Sequence, residues 1–299
     1  MRIDLHIHSN ASDGTDDPAE VIRRAAEAGV DVVALTDHDT VAGWDEAEAA
    51  TAEAASGLTL VPGMELSCQL DGRSVHLLCY LFDPANAELA SQTSLIRDDR
   101  THRAKGMVAK LNELGADVTW EQVARIAGDA VVGRPHIARA MAEAHVIDTP
   151  ADAFTQEWIA DGGRAYVERY AITLGRAVRL VRQAGGVPVL AHPRSPGYEI
   201  PDDVIVRLAA GGLAGIEVNH PDHDHAERSR LAALARDLGL LTTGGSDDHG
   251  SFTPSTGGNG GIGSETTPPE EYEKLISQAG GLPVRGDDPP GPHGEKSAR

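Results

Sequence analysis

The sequence predicts an α/β fold, a parallel sheet flanked by crossover helices and broken by a helical insertion. Three observations predict it. Short β-branched or alternating runs take turns with longer Ala-rich segments; the alternation stops between about residues 83 and 166 and then resumes; and strand after strand ends in histidine or a carboxylate. The chain has 299 residues, and α/β barrels of about 200–250 residues fold as one domain, so one core plus an inserted subdomain fits the length.

Ile3–Ile7 alternates apolar and polar residues, which makes it the first strand. Pro18 opens a helix to about Ala28 that Gly29 stops, the expected punctuation at each end. Val30–Thr36 is a β-branched second strand, Val41–Ala55 a helix, and Leu58–Val61 and Val75–Phe82 further strands. Residues 1–85 therefore begin a domain built on a parallel sheet with crossover helices. Residues 86–165 carry only helical patterning, with turns at Gly115 and Gly128–Gly133, and are expected to form an insertion that caps the substrate side. The domain resumes over 166–280: helix Thr173–Ala184, strand Val187–Ala191, helix Pro201–Ala210, strand Gly215–Asn219, helix Asp224–Leu238, strand Leu240–Gly244 and a helix near Pro269–Gln278. Residues 284–299 are dominated by Gly, Pro and charge, so a disordered tail is expected.

Composition narrows the function. The net charge of −20 argues against duplex nucleic acid, which needs a basic face, but leaves room for a small anion held by metals and local arginines. Only two cysteines, Cys68 and Cys79, are present and neither belongs to a CxxC pair, so a reducing compartment is expected. The N-terminus lacks the apolar stretch of a signal peptide, and no run approaches the ~18 apolar residues of a membrane span. The expectation is a soluble, cytoplasmic protein with no membrane partner.

The chemistry sits at strand ends. His6-Ile7-His8 closes the first strand, where alternate side chains share a face and both imidazoles point to the strand's C-terminal mouth. The second strand ends in Thr36-Asp37-His38-Asp39, the third near Glu65, and His76 lies in the next. Val187–Ala191 runs into His192-Pro193, Leu240–Gly244 into Ser246-Asp247-Asp248-His249, and Asp13 follows the first strand. Any one of these alone reads as a capped or solvated polar residue; together they point to metal. Imidazole and carboxylate without thiolate suit manganese, iron or zinc. Nine ligands exceed the three or so of a single catalytic zinc, so two to three divalent ions sharing a bridging carboxylate are expected.

These residues resemble the PHP (polymerase and histidinol phosphatase) family, through His6-x-His8, Thr36-Asp37-His38, Glu65, His76, His192-Pro193 and Ser246-Asp247-x-His249, over roughly residues 1–280. The resemblance implies a distorted seven-stranded (β/α) barrel and a trinuclear site. One ion would take His6, His8, Glu65 and Asp247, a second Glu65, His76 and His192, and a third Asp13, His38 and His249. The insertion carries Gly133-Arg134-Pro135-His136-Ile137-Ala138-Arg139 and is similar to that of the branch acting on small nucleotides. That branch removes the 3′-phosphate of nucleoside 3′,5′-bisphosphates, degrades short 5′-phosphorylated RNA, or cleaves nucleoside monophosphates. The expected partner is thus a small phosphorylated nucleotide or short single-stranded oligonucleotide.

Arg134 and His136 would cluster at a helix N-terminus, a natural phosphate site, with Arg194 as a second candidate and Arg164 as a weaker one. His192, His249 and Asp247 are the candidates for protonating the leaving group. His102, His145, His220, His223, His225 and His293 read as structural or surface residues, although His223 follows a strand end at the same rim, and Trp44, Trp120 and Trp158 as helix packing. The competing readings are a histidinol-phosphatase-like or generic phosphomonoesterase, an amidohydrolase-like C–N hydrolase, and a non-catalytic metal-binding protein. Amidohydrolase barrels carry a metal-bridging lysine, and no lysine ends a strand here.

Overall fold

The computed structural model describes residues 1–53, 57–195, 199–252 and 261–286. Seven strands form a nearly closed ring: β1 (Ile3–Ile7), β2 (Val32–Leu35), β3 (Thr59–Leu70), β4 (Arg73–Tyr80), then, past the two-residue β5 (Ile172–Thr173), β6 (Val187–Leu190), β7 (Gly215–Asn219) and β8 (Leu241–Gly244). Spatial order follows chain order, with β5 set apart on β3. The ring closes through a bridge between Ile7 and Asp248, where the His8 amide donates to the Asp248 carbonyl (2.9 Å) and the Asp247 amide to that of His6 (2.8 Å). Closure is what carries the end of β1 and the residues after β8 to one rim.

The helices are α1 (Pro18–Glu27), α2 (Trp44–Glu53), α3 (Ala87–Glu113), α4 (Trp120–Ala127), α5 (Arg134–Glu143), α6 (Leu174–Gln183), α7 (Asp202–Ala210), α8 (His225–Leu238) and α9 (Pro269–Gln278). β1, β2 and β6 are buried along their whole length, as strands covered on both faces are. One apolar cluster joins the sheet to α1, α2, α6, α7 and α8; a second joins it to α9. A third, built around Met107, Leu111, Val123, Ile137 and Met141, belongs to α3, α4, α5 and the chain leading to Ala165. Among the described residues no helix is long and apolar enough to cross a membrane.

The sheet is not all parallel, as the β-α-β rhythm predicts. β4 runs antiparallel to both β3 and β6. The cause is local: β3 does not stop at Val61 but continues through Pro62-Gly63 to Leu70, and Asp71 and Gly72, both left-handed (φ +50° and +77°), turn it straight back into β4. Asp-Gly with two positive φ values is the favoured two-residue hairpin turn. The segment expected to be a tail begins as an ordered one. The Arg285 amide donates to the Leu60 carbonyl at 2.8 Å and Val284 packs on the sheet, while residues 287–299 lie outside the described residues.

Candidate metal centre

Four sequence-distant segments converge on Glu65. Its amide donates to the Thr36 carbonyl (2.9 Å) and its carbonyl accepts from the Asp39 amide (3.1 Å), which lays the end of β2 alongside β3 and sets His38 beside it. His76 reaches Glu65 from the antiparallel β4 and His192 from the end of β6, while His6 and His8 come from β1.

The nine expected ligands all stand at this rim, in three overlapping groups. His6 Nε2 and His8 Nε2 each lie 3.2–3.3 Å from Glu65 Oε2 and 3.2 Å from Asp247 Oδ1. His76 Nδ1 and His192 Nε2 lie 2.8 and 3.0 Å from Glu65 Oε1 and 3.5 Å from each other. His249 Nε2 is 3.4 Å from Asp13 Oδ1, and His38 Nε2 is 3.7 Å from Asp13 Oδ2. His38 also turns Nδ1 toward Glu65 Oε2 at 3.2 Å, so it stands between the groups.

The donor set fits divalent ions. Imidazole and carboxylate donors bind zinc-like ions at about 2.0–2.2 Å, which places neighbouring donors roughly 3.0–3.5 Å apart, close to the spacing seen here. Buried atoms of these side chains, His6 Nε2, both His8 nitrogens, Asp13 Oδ1, His38 Nδ1 and Asp247 Oδ1, make no hydrogen bond within the protein. Buried polar atoms are normally satisfied, so a cluster of orphans aimed at common points marks cation sites. Charge agrees: burial alone would raise the Glu65 carboxyl, but His76, His38 and His6 hold it well below the usual carboxylate range. His249 Nδ1 donates to the Asp247 carbonyl (2.8 Å), leaving Nε2 as the ligating atom. Asp39, His192 and Asp247 sit in left-handed backbone at φ +56°, +21° and +52°, strain of the kind concentrated at functional sites.

Not every rim residue belongs to the ligand set. Asp37 accepts from the Ser9 amide and from the Ser9 and Ser12 hydroxyls at 2.6–2.8 Å, fixing the loop after β1. Asp248 pairs with Arg24. His223 is buried, but Nδ1 donates to the Val218 carbonyl and Nε2 accepts from the Arg194 amide, so backbone consumes both nitrogens. His102, His145 and His225 are exposed, and His293 lies outside the described residues. Trp44 is core, its indole N–H donating to the Gly63 carbonyl, and Trp120 and Trp158 pack against the apolar cluster of α3, α4 and α5.

Sequence reasoning missed two residues of the site. Glu217 is fully buried in β7, 2.9 Å from His6 Nδ1, and His220, read as structural, lies 3.3 Å from Asp247 Oδ2. A carboxylate inside the apolar run Gly-Ile-Glu-Val-Asn was the available signal for the first.

Beside the metal groups opens a cavity of about 840 Å³, lined among others by His76, His192, Arg134, Phe154 and Tyr166. Arg134 opens α5 and is partly exposed there; its guanidinium donates to Asp161 Oδ1 (2.6 Å) and lies over the Phe154 ring. His136 is buried, and its Nδ1 accepts from the Gly133 amide at 3.0 Å, so it caps the helix while its pKa is lowered, chiefly by burial. Arg194 does not face the cavity as expected. Its side chain is 2% exposed and committed to the Ile200 carbonyl and the Asp202 carboxylate, and the Ile200 amide in turn donates to the Pro193 carbonyl (2.9 Å). Arg164 is exposed. Two arginines that the sequence did not single out meet at Ser67: Arg100, which pairs with Asp39 (2.7 Å), and Arg169 both donate to Ser67 Oγ (2.8 and 2.9 Å). Burial, then the charges of Arg134 and Arg169, lower the pKa of Arg103. Among the described residues the arginines that line the cavity are Arg73 and Arg134.

Residues 4–129 match the PHP domain. The chain is 34% identical to a 3′,5′-nucleoside bisphosphate phosphatase of Chromobacterium violaceum, covering 89% of this chain and 93% of that one. It is 32% identical to a 5′-3′ exoribonuclease of Haemophilus influenzae, covering 83% and 90%. A crystal structure from Bifidobacterium adolescentis, described as a metal-dependent phosphoesterase, superposes with a TM-score of 0.86 at 34% identity, covering 93% and 96%.

Proposed function

Since the chain belongs to the PHP domain family, a family of metal-dependent phosphoesterases, we propose that it hydrolyses small nucleotide phosphates. The preferred substrate is a nucleoside 3′,5′-bisphosphate, attacked at its 3′-phosphate, or a short 5′-phosphorylated oligonucleotide, attacked at its first internucleotide phosphate. The observation that carries this reading is the pairing of two features: converging orphaned donors suited to cations that would bind one phosphate, and the Arg134 end of the adjoining cavity, suited to another. A ligand with two phosphates on one sugar can engage both.

His6, His8, Asp13, His38, Glu65, His76, His192, Asp247 and His249 would hold two to three manganese, iron or zinc ions. Bound ions would supply Lewis acidity, activating water and offsetting charge on the phosphoryl group. The protein's own groups divide the remaining work. Arg134, with the N-terminus of α5 and the neighbouring Arg103, would bind the phosphate that does not react. Attack of water oxygen on phosphorus breaks the bond to the sugar oxygen, which needs a proton. Asp247, His249 and His192 are 26%, 18% and 17% exposed, whereas His6, His8 and Glu65 are at most 2%, so the first three would border the leaving oxygen. Of them Asp247 would serve it best, because the Nε2 atoms of His249 and His192 would hold ions. The C–N hydrolase reading lacks its lysine: among the described residues Lys105 and Lys110 lie on α3 and Lys274 on α9, away from every strand end. Free, buried Cys68 and Cys79 suit a reducing cytoplasm.

The test is side-by-side kinetics with manganese on a nucleoside 3′,5′-bisphosphate, a 5′-monophosphate and histidinol phosphate. The bisphosphate should lead in kcat/KM. Equal efficiency on all three would mean a generic phosphatase, and preference for histidinol phosphate a different branch of the family.

A further inference from the structure

Among the ring strands β7 alone supplies none of the nine expected ligands, although it lies between β6 and β8, which lead into His192 and Asp247. Its one buried polar residue, Glu217, nevertheless lies against those ligands. Glu217 is 0% exposed and divides its oxygens between two of them: Oε1 is 2.9 Å from His6 Nδ1, and Oε2 accepts the His192 backbone amide at 2.8 Å. A carboxylate can only accept, so the proton of His6 belongs on Nδ1, and its Nε2 lone pair is left facing Glu65 and Asp247. At His192, whose φ of +21° is unfavourable for a residue with a Cβ, the same carboxylate holds the peptide in place. His220, just past the strand, repeats the arrangement. Its Nδ1 accepts from the Asp222 amide (3.1 Å), which places its proton on Nε2, 3.3 Å from Asp247 Oδ2.

We propose that Glu217 is a positioning residue: by accepting from His6 Nδ1–H and the His192 amide at once, it sets the affinity of two metal groups together, the one on His6, His8, Glu65 and Asp247 and the one on Glu65, His76 and His192. The proposal rests on the metal-dependent reading above. Glutamate is required because two donors face it. Glutamine has a single accepting oxygen, so in either orientation its amide opposes one of them. Turned toward His6, that amide would donate to Nδ1 and drive the imidazole proton onto Nε2, the atom that must be free to bind an ion.

The experiment compares Glu217→Gln with wild type, both stripped of metal and then titrated with manganese by calorimetry and by electron paramagnetic resonance of the unbound ion. Expected are weakening of manganese binding by about 10- to 100-fold, a metal-free melting temperature within a few degrees of wild type, and an unchanged KM at saturating manganese. A purely structural Glu217 would instead lower the melting temperature and leave affinity in the folded fraction alone, which overturns the proposal. Should the variant not fold, zinc-loaded wild-type protein carries the test: imidazole ¹⁵N spectra must show His6 ligated through Nε2 with a protected Nδ1–H, and ligation through Nδ1 overturns it. Wild type that binds no divalent ion would overturn the functional reading itself, and this proposal with it; a metal-binding wild type beside an equally tight Glu217→Gln overturns this proposal alone.

Discussion

Glu65 and His192 stand 3.0 Å apart although 127 positions separate them, and the second oxygen of the same carboxylate faces His6, His8 and His38 at 3.2–3.3 Å. One side chain therefore belongs to two donor groups. Elemental analysis after manganese loading should find two to three ions per chain, and chelation should abolish turnover. Glu65→Gln, with one accepting oxygen in place of two, should lose two ions. Loss of a single ion would mean that Glu65 does not bridge.

Arg134 should act on one phosphate and not on the other. A charge-assisted hydrogen bond contributes about 1.5–3 kcal/mol, hence roughly tenfold or more in affinity. Arg134→Ala is expected to raise KM for a nucleoside bisphosphate by that factor and to leave the monophosphate nearly unaffected. Equal effects on both would remove Arg134 from substrate recognition.

Arg194 should behave in the opposite way. Its guanidinium is buried against the Ile200 carbonyl and Asp202, so Arg194→Ala should lower stability by about 1–3 kcal/mol through lost hydrogen bonds. KM for the bisphosphate should not move. Denaturant midpoints and steady-state kinetics on one preparation separate the two, and a raised KM at unchanged stability would return Arg194 to the site.

Gly245 lets β8 pass β1. A Cβ there would meet His6 Cβ at 2.3 Å and the His6 backbone nitrogen at 2.5 Å, so the strand carrying the first ligands would have to move. Gly245→Ala should destabilise by about 1–3 kcal/mol or more and weaken manganese binding together with it. A variant with a wild-type melting temperature and metal content would show that β1 yields freely.

Much of the candidate site was legible because its histidines and carboxylates follow strands, and strands announce themselves through local apolar patterning. His6-x-His8, His38, His192 and the Asp247–His249 pair each close a run whose β character is written within a few residues. An alternating strand end can place two imidazoles on one face without any long-range information. The helical character of α3, α4 and α5 was equally visible, since a stretch without strand patterning cannot join the sheet.

What the sequence by itself determined, then, was which polar groups stand at the mouths of strands. Only the tertiary structure decided how those groups pair. Arg194 follows an expected ligand by two residues, yet its guanidinium goes to Asp202; Arg169, three residues before the short β5, arrives beside Arg100 at Ser67. Glu217 reads locally as an unfavourable charge within a strand, and becomes explicable only when ring closure brings His6 of β1 against β7 and the end of β6 lays the His192 amide beside it. Local pattern selects strand or helix because it depends on neighbours in the chain. The partner of a buried charge depends on distances between segments dozens of residues apart, and those exist only once the ring has closed.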